Sequence, residues 1–381
     1  MSVNDLLRKA AVLLERKQDA LFNYDVVAQK KFIHKLDNPR DDMERSYFQY
    51  KCQMKFNGRM ISTLLNVVSF PMALFYAFHY GKDNNVKNVS KVDAVFFRDG
   101  KPENILPPSL KKEFGFIEQN TTEELMLKKQ DKKFIRKIIR RYPFSWHFIL
   151  KCIIKIARYS SAIKQYQPKA IIVCAEYSFT SSMLTLYCTK NGVEHIDVMH
   201  GEKLYYMRDS FFRFDRCYVW DTYYKKIFSV LKADKKQFRV EVPESLKFTN
   251  ENKQEMEYDY TYYLGAENED VLKKIASALS TLAQQEKRIS LRPHPRYSDL
   301  NQVNKLFPFA NIEDTGKLTI ENSLLRTGHA ISLYSTVLNQ ALNNGIPIII
   351  DDVSNPEDFK KLKDLKYICL KKKHEVLSEM I

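Results

Sequence analysis

Strand-like and helix-like patterns alternate from residue 169 almost to the end of the chain, and that alternation limits what the chain can fold into. KAIIVCAEYS (169–178) reads as a strand, residues 179–191 as a helix stopping at Asn191-Gly192, and VEHIDVMHG (193–201) as a second strand. RCYVWD (216–221) and FRVEVP (238–243) flank the helical TYYKKIFSVLKA. The polar stretch ESLKFTNENKQEME (244–257) reads as a connection, after which the alternation restarts. YDYTYYLGA, RISLRPHPR, TGHAISLYS and IPIIIDD are strands, separated by the helices NEDVLKKIASALSTLAQQE and TVLNQALNN. Upstream, VDAVFFRDG (92–100) is a further strand and residues 121–166 form a long basic helical region. Strand and helix in alternation imply βαβ units and mostly parallel sheets.

The 381 residues are more than one core usually serves. The expected division is an N-terminal Rossmann-like domain with a helical leader, residues 1–245, and a C-terminal Rossmann-like domain, residues 246–381. Ligands in such sheets bind beyond the carboxyl ends of the strands, so two domains predict a site in a cleft between them. The search therefore narrows to loops that follow strands.

Four stretches stand out. In RPHPR, Pro293 and Pro295 fix the backbone on both sides of His294, and Arg292 and Arg296 add positive charge. That grouping suits a phosphate or a departing nucleotide, with His294 donating a proton or hydrogen bond. A proline-stiffened turn with a surface histidine is the plainer alternative. In ISLYSTVLNQAL, Ser332, Ser335 and Thr336 lie where a strand gives way to a helix, so hydroxyls and helix N-terminal amides could hold an anion. An ordinary helix cap uses the same residues. In CAEYS, Glu176 follows a strand and could take a proton from an incoming hydroxyl, or could simply cap a helix. His200, Gly201 and Glu202 follow the next strand and compete as base or acceptor contacts; Asp99 in FFRDG is a weaker candidate.

The charge balance is 61 basic to 46 acidic residues, a net of +15, which favours an anionic partner. Much of the excess falls in LKKQDKKFIRKIIRR, whose basic residues from Lys128 to Arg141 recur at helical spacing opposite Phe134, Ile135, Ile138 and Ile139. Such a helix could meet anionic lipid at the cytoplasmic face of a membrane, bind an acidic polymer, or be a solvated helix packing its apolar side. The run from Met60 to Phe78 is about long enough to span a bilayer, but Ser62, Thr63, Asn66, Ser69 and Pro71 interrupt it. A buried helix pair is the expected reading. The first 19 residues form a charged amphipathic pattern, unlike the apolar core of a signal peptide. None of the six cysteines forms a CxxC pair, so buried free thiols in a cytoplasmic chain are expected. Glycine-rich dinucleotide and Walker A loops are absent from the sequence.

SLRPHPR followed by HAISLYSTVLNQALNNGIPIII resembles the C-terminal domain of bacterial GT-B glycosyltransferases. It is similar in particular to sialyltransferases, polysialyltransferases and some capsule and teichoic-acid transferases. The resemblance implies an α/β GT-B fold and a nucleotide-sugar donor, with CMP-sialic acid or a related acidic sugar leading. It implies a cell-surface glycan acceptor such as capsule or lipopolysaccharide, and inversion at the anomeric carbon. It places His294 and Pro295 in the HP motif and Ser335 and Thr336 in the serine motif around the donor phosphate. The family's acidic-glycine motif for the base is not reproduced, leaving Glu176 and the His200–Glu202 group as positional candidates. No metal and no cofactor is expected; Asp351-Asp352 reads as a nucleotide-side or structural loop. A CDP-glycerol-type polyol-phosphate transferase is the close alternative. A basic nucleic-acid-binding protein is the alternative from another class, though no RNA or DNA motif accompanies the charge, so nucleic acid is not an expected partner.

Overall fold

The computed structural model describes residues 25–79, 91–97, 105–122, 125–248 and 256–381. Asp99, residues 1–19 and residues 249–255 of the 244–257 connection lie outside the described residues. The chain divides into two compact units: residues up to His200 together with Tyr205–Pro243, and Gly201–Leu204 together with Glu244–Ile381.

The first unit starts with helices α1 (Val26–His34) and α2 (Asp42–His79), then β1 (Ala94–Phe96), α3 (Pro108–Glu113) and β2 (Ile117–Gln119). Helices α4 (Lys129–Arg141) and α5 (Trp146–Tyr166) follow, then β3 (Ala170–Val173), α6 (Ser181–Lys190), β4 (Glu194–Val198), β5 (Arg216–Val219), α7 (Thr222–Val230) and β6 (Phe238–Val240). All six strands are parallel, in the order β2-β1-β3-β4-β5-β6. Helices cover both faces of a parallel sheet, so β1 and β3 are buried at every position, which explains their unbroken apolar runs. The strand order reverses between β1 and β3, the place where such sheets take ligands.

The second unit holds β7 (Tyr258–Tyr263), α8 (Glu269–Gln284), β8 (Ile289–Arg292), α9 (Leu300–Leu306), β9 (Asn311–Ile312) and α10 (Ile320–Leu325). It continues with β10 (Thr327–Ser332), α11 (Thr336–Asn343), β11 (Ile348–Ile350), α12 (Pro356–Asp364) and β12 (Glu375–Val376). Its parallel order, β12-β11-β10-β7-β8-β9, is that of a dinucleotide-binding sheet, reversing between β7 and β10. The fold class is thus α/β, with two Rossmann-like units in tandem.

Two expectations change. The basic region 121–166 is two helices, because Pro143 lacks an amide hydrogen and the chain turns between Arg141 and Trp146. The segment 60–78 is not buried. It is the second arm of α2, whose first arm ends at Gly58, with φ 73° and ψ 168°, a conformation open almost only to glycine. Tyr47 bonds Ser145 at 2.9 Å, while Asn66 accepts the His147 amide at 3.1 Å. Along an unbroken helix Tyr47 and Asn66 would lie about 28 Å apart. Both reach the start of α5, so the arms fold back at Gly58.

Burial also fixes protonation. His195 in β4 is fully buried; the Tyr159 hydroxyl lies 3.0 Å from Nε2 and the Thr185 hydroxyl 2.8 Å from Nδ1. The Thr185 hydroxyl also donates to the Arg213 carbonyl at 2.8 Å, which leaves its oxygen to accept Nδ1–H. Burial lowers the His195 pKa to about 3, so the ring folds neutral. Below about pH 6.5 the unfolded chain binds a proton that the folded one refuses. Stability is complete above that pH and falls on acidification, by about 1.4 kcal/mol per pH unit from this group, until pH reaches the folded value. Urea unfolding of wild type and His195→Gln between pH 7 and pH 4 measures this: the variant should show a shallower acid loss.

Candidate functional site

Strand β8 ends at Arg292, and its guanidinium turns back into the domain. It meets Glu313 at 2.8 Å and donates to the Leu318 carbonyl at 2.8 Å, almost wholly buried. Arg292 therefore holds the loop from beneath, and its charge is engaged by Glu313 rather than presented to a phosphate. Pro295 and Arg296 are exposed.

His294 is partly exposed and tightly oriented. Its amide donates to the Ser298 hydroxyl at 2.8 Å, and its Nδ1 accepts the Arg296 amide at 3.1 Å. The ring stacks on Tyr297 with centroids 4.5 Å apart. Desolvation, then the neighbouring Arg296 charge, lowers its pKa below the usual histidine value. A neutral ring whose Nδ1 accepts a hydrogen bond carries its proton on Nε2. Near pH 7, His294 is thus a fixed Nε2–H donor.

The end of β10 and the start of α11 come next. Ser332 is buried and donates to the Tyr263 carbonyl at 2.9 Å, tying β10 to β7. Ser335 caps α11, its hydroxyl accepting the Val337 amide at 3.2 Å. The Thr336 hydroxyl accepts the Glu202 amide at 3.3 Å, and the Glu202 carboxylate accepts Asn339 Nδ2 at 3.1 Å. The Tyr334 hydroxyl donates to the Glu202 carbonyl at 3.3 Å, and the Tyr367 hydroxyl lies 3.3 Å from the Ser335 carbonyl. Glu202 and Thr336, two separate sequence candidates, therefore share one cluster at the first turn of α11. Asn339, Tyr334 and Tyr367 escaped the sequence reading, since helix spacing marks Asn339 as an ordinary polar position. Asp351 is structural: buried, it accepts the Tyr262 hydroxyl at 2.6 Å and the amides of Val353 and Ser354.

In the first unit the loop after β3 is pinned by buried Asp197, whose carboxylate accepts the Ala175 amide at 2.7 Å. Glu176 follows, fully buried. Its carboxylate lies 3.9 Å from Nδ1 of His200, beyond the end of β4. His200 is 26% exposed in its side chain and is the member of the pair that solvent reaches. Gln49 of α2 donates to the Glu176 and Arg208 carbonyls at 2.8 and 2.9 Å, and Gln53 to the Tyr177 carbonyl at 2.6 Å. A Cβ at Gly201 would meet nothing within 4 Å, so packing does not require glycine there. Local sequence carries no signal for Gln49 and Gln53, which lie more than a hundred residues from their partners.

No protein-family model matches the chain, and no curated protein sequence matches it. Among solved structures it is similar to the UDP-GlcNAc 2-epimerase from Neisseria meningitidis bound to UDP-GlcNAc, at 12% identity over 70% of this chain and 84% of that one, with a TM-score of 0.43. It is similar to the wall teichoic acid polymerase TagF, at 12% identity over 80% of this chain and 79% of that one, TM-score 0.38. It is also similar to the glycotransferase of kitacinnamycin, at 10% identity over 72% of this chain and 85% of that one, TM-score 0.42. Likeness at this level carries no argument about the chemistry, which rests on the residues.

The Arg292–Glu313 pair is open to direct measurement. Removing one partner of a buried pair strands the other's charge, whereas replacing both by apolar residues of similar length removes both charges. Glu313→Ala should lower the urea unfolding free energy by about 3–5 kcal/mol. Replacing both partners, Arg292→Met with Glu313→Met, should cost clearly less than Glu313→Ala alone.

Proposed function

We propose that this chain is a GT-B glycosyltransferase. In this reading it moves a sugar from a nucleotide-sugar donor, CMP-sialic acid or a related acidic sugar leading, to a cell-surface glycan such as capsule or lipopolysaccharide. The observation that carries the reading is His294, held after a strand of a dinucleotide-type sheet as a neutral Nε2–H donor. A hydrogen bond from a fixed donor stabilises the charge that develops on a leaving phosphate. Arg296 adds a charge beside it, and the first turn of α11, with Ser335 and Thr336, adds amides and a hydroxyl suited to phosphate oxygens. In this scheme protein donors meet the leaving phosphate, and no metal is required.

The proton of the acceptor hydroxyl goes to the Glu176–His200 pair. His200 is the solvent-reached member and takes the proton; buried Glu176 orients the ring and stabilises the imidazolium. The acceptor oxygen bonds the anomeric carbon as the bond to the nucleotide phosphate breaks, with inversion. Glu202 remains the rival base, but Asn339 holds its carboxylate at α11.

A thermal-shift panel of CMP, CDP, UDP, GDP and their sugars tests the reading. One nucleotide family should stabilise the wild type, and His294→Ala should weaken its binding by roughly 10–100-fold, the worth of a hydrogen bond to a charged group. Stabilisation by CDP-glycerol in place of nucleotide sugars would move the assignment to a polyol-phosphate transferase. Salt-sensitive RNA binding with no nucleotide response would overturn it. With a responding donor in hand, His200→Ala should lower kcat by about 10²-fold or more while donor affinity holds.

A further inference from the structure

The second arm of α2 is amphipathic in the wrong direction for a soluble helix. Ser62, Asn66, Ser69 and Ala73 recur at helical spacing and form the sheltered stripe, with Ser69 and Ala73 buried and Asn66 bonded to the α5 amide. The residues facing out are Leu64, Val67, Phe70, Leu74, Phe75 and Phe78, with Phe78 80% exposed. A soluble helix buries its apolar side against the core and turns its polar side to water. Here the small and polar side faces the protein, and an apolar strip runs along about 30 Å of outer surface.

The neighbouring corner carries the complementary chemistry. Trp146 packs edge-to-face on Phe70 at 4.6 Å, and Phe144, two residues earlier in the chain, is 87% exposed. Those residues join the end of α4 to the start of α5. On α4, Phe134, Ile135 and Ile138 are buried, so Lys129, Lys133, Arg136, Lys137 and Arg140 all face out. The single acidic residue of that helix, Asp131, is buried under the Ser160 and Tyr187 hydroxyls and offsets nothing at the surface. An apolar strip, exposed aromatic rings and a run of cations thus meet at one corner of the first unit.

We infer that this corner docks on an anionic phospholipid bilayer, with the outer face of α2 residues 59–78 sunk into the acyl boundary and α4 lying over the headgroups. The charges favour lipid over a second copy of the chain, since pairing copies here would bring two basic helices together. The arm lies in the surface rather than crossing it, because its small and polar stripe remains packed on the protein, with Asn66 bonded to α5. The inference is independent of the transferase reading: it would place any activity of this chain at a membrane surface.

Co-sedimentation of the full chain with vesicles of phosphatidylcholine containing about one-third phosphatidylglycerol tests it. The wild type should bind these vesicles and bind pure phosphatidylcholine far less. The triple variant Val67→Asn, Phe75→Asn, Phe78→Asn changes only exposed side chains and should keep its thermal midpoint while losing binding by roughly tenfold or more. Lys133→Ala with Lys137→Ala should remove much of the salt dependence. Trp146 gives a depth readout in Trp220→Phe: brominated lipid should quench the remaining tryptophan. Vesicle binding unchanged in the triple variant would overturn the inference, as would a wild type that ignores phosphatidylglycerol. A dimer that the triple variant splits, without any vesicle binding, would assign the strip to a second copy instead.

Discussion

The second unit depends on one buried polar network. Glu313, just past β9, accepts Arg292 at 2.8 Å, the Ser323 hydroxyl at 2.8 Å and the Ser290 hydroxyl at 3.3 Å. Ser323 of α10 in turn meets the Tyr263 hydroxyl at 3.0 Å, and Arg292 reaches the Leu318 carbonyl. One carboxylate therefore ties together the carboxyl ends of β7 and β8, the strand beside them and a helix. A buried charge is tolerated only when its partners are all in place, so the network has one workable geometry. The loop carrying His294 grows directly out of that fixed end. Prolines stiffen the loop, but Arg292 and Glu313 decide where it starts.

The orientation of His294 follows from the same logic one step further out. An imidazole that must donate from Nε2 needs its other nitrogen occupied, and the Arg296 amide does this within the loop itself. Arg296 thus contributes through its backbone as well as its charge. The lowered pKa keeps the ring neutral near pH 7, so it acts by hydrogen bond and not as a standing cation. Positive charge at the surface there is left to Arg296, while Arg292 spends its charge internally.

Much of the architecture was legible because parallel strands buried on both faces leave unbroken apolar runs. AIIV in β3 and III in β11 could hardly be anything else. Short peripheral elements such as β2, β9 and β12 were not legible, since two or three half-exposed residues carry no periodicity. At the site, strand ends flagged Glu176, His200, Glu202 and His294 correctly as loop residues. The contacts among them were another matter. Glu176 beside His200, and Glu202 beside Thr336 and Asn339, are pairings across 24 to 137 positions that only the fold creates. Arg292 shows the converse: its sequence neighbours suggested a phosphate ligand, and a carboxylate 21 positions away claimed it.

The α2 arm shows why hydropathy alone misleads. A run of apolar residues interrupted by serine and asparagine looks like a core helix, because polar breaks are costly in lipid. What matters is which face the breaks occupy. Ser62, Asn66, Ser69 and Ala73 fall on one stripe, and small residues on a stripe let two helices approach closely while the asparagine bonds across. The folding back at Gly58 sets that stripe against α5 and leaves no further layer over the apolar side among the described residues. The same interruptions that argue against a free span thus supply the packing surface of a helix held by the protein on one side only.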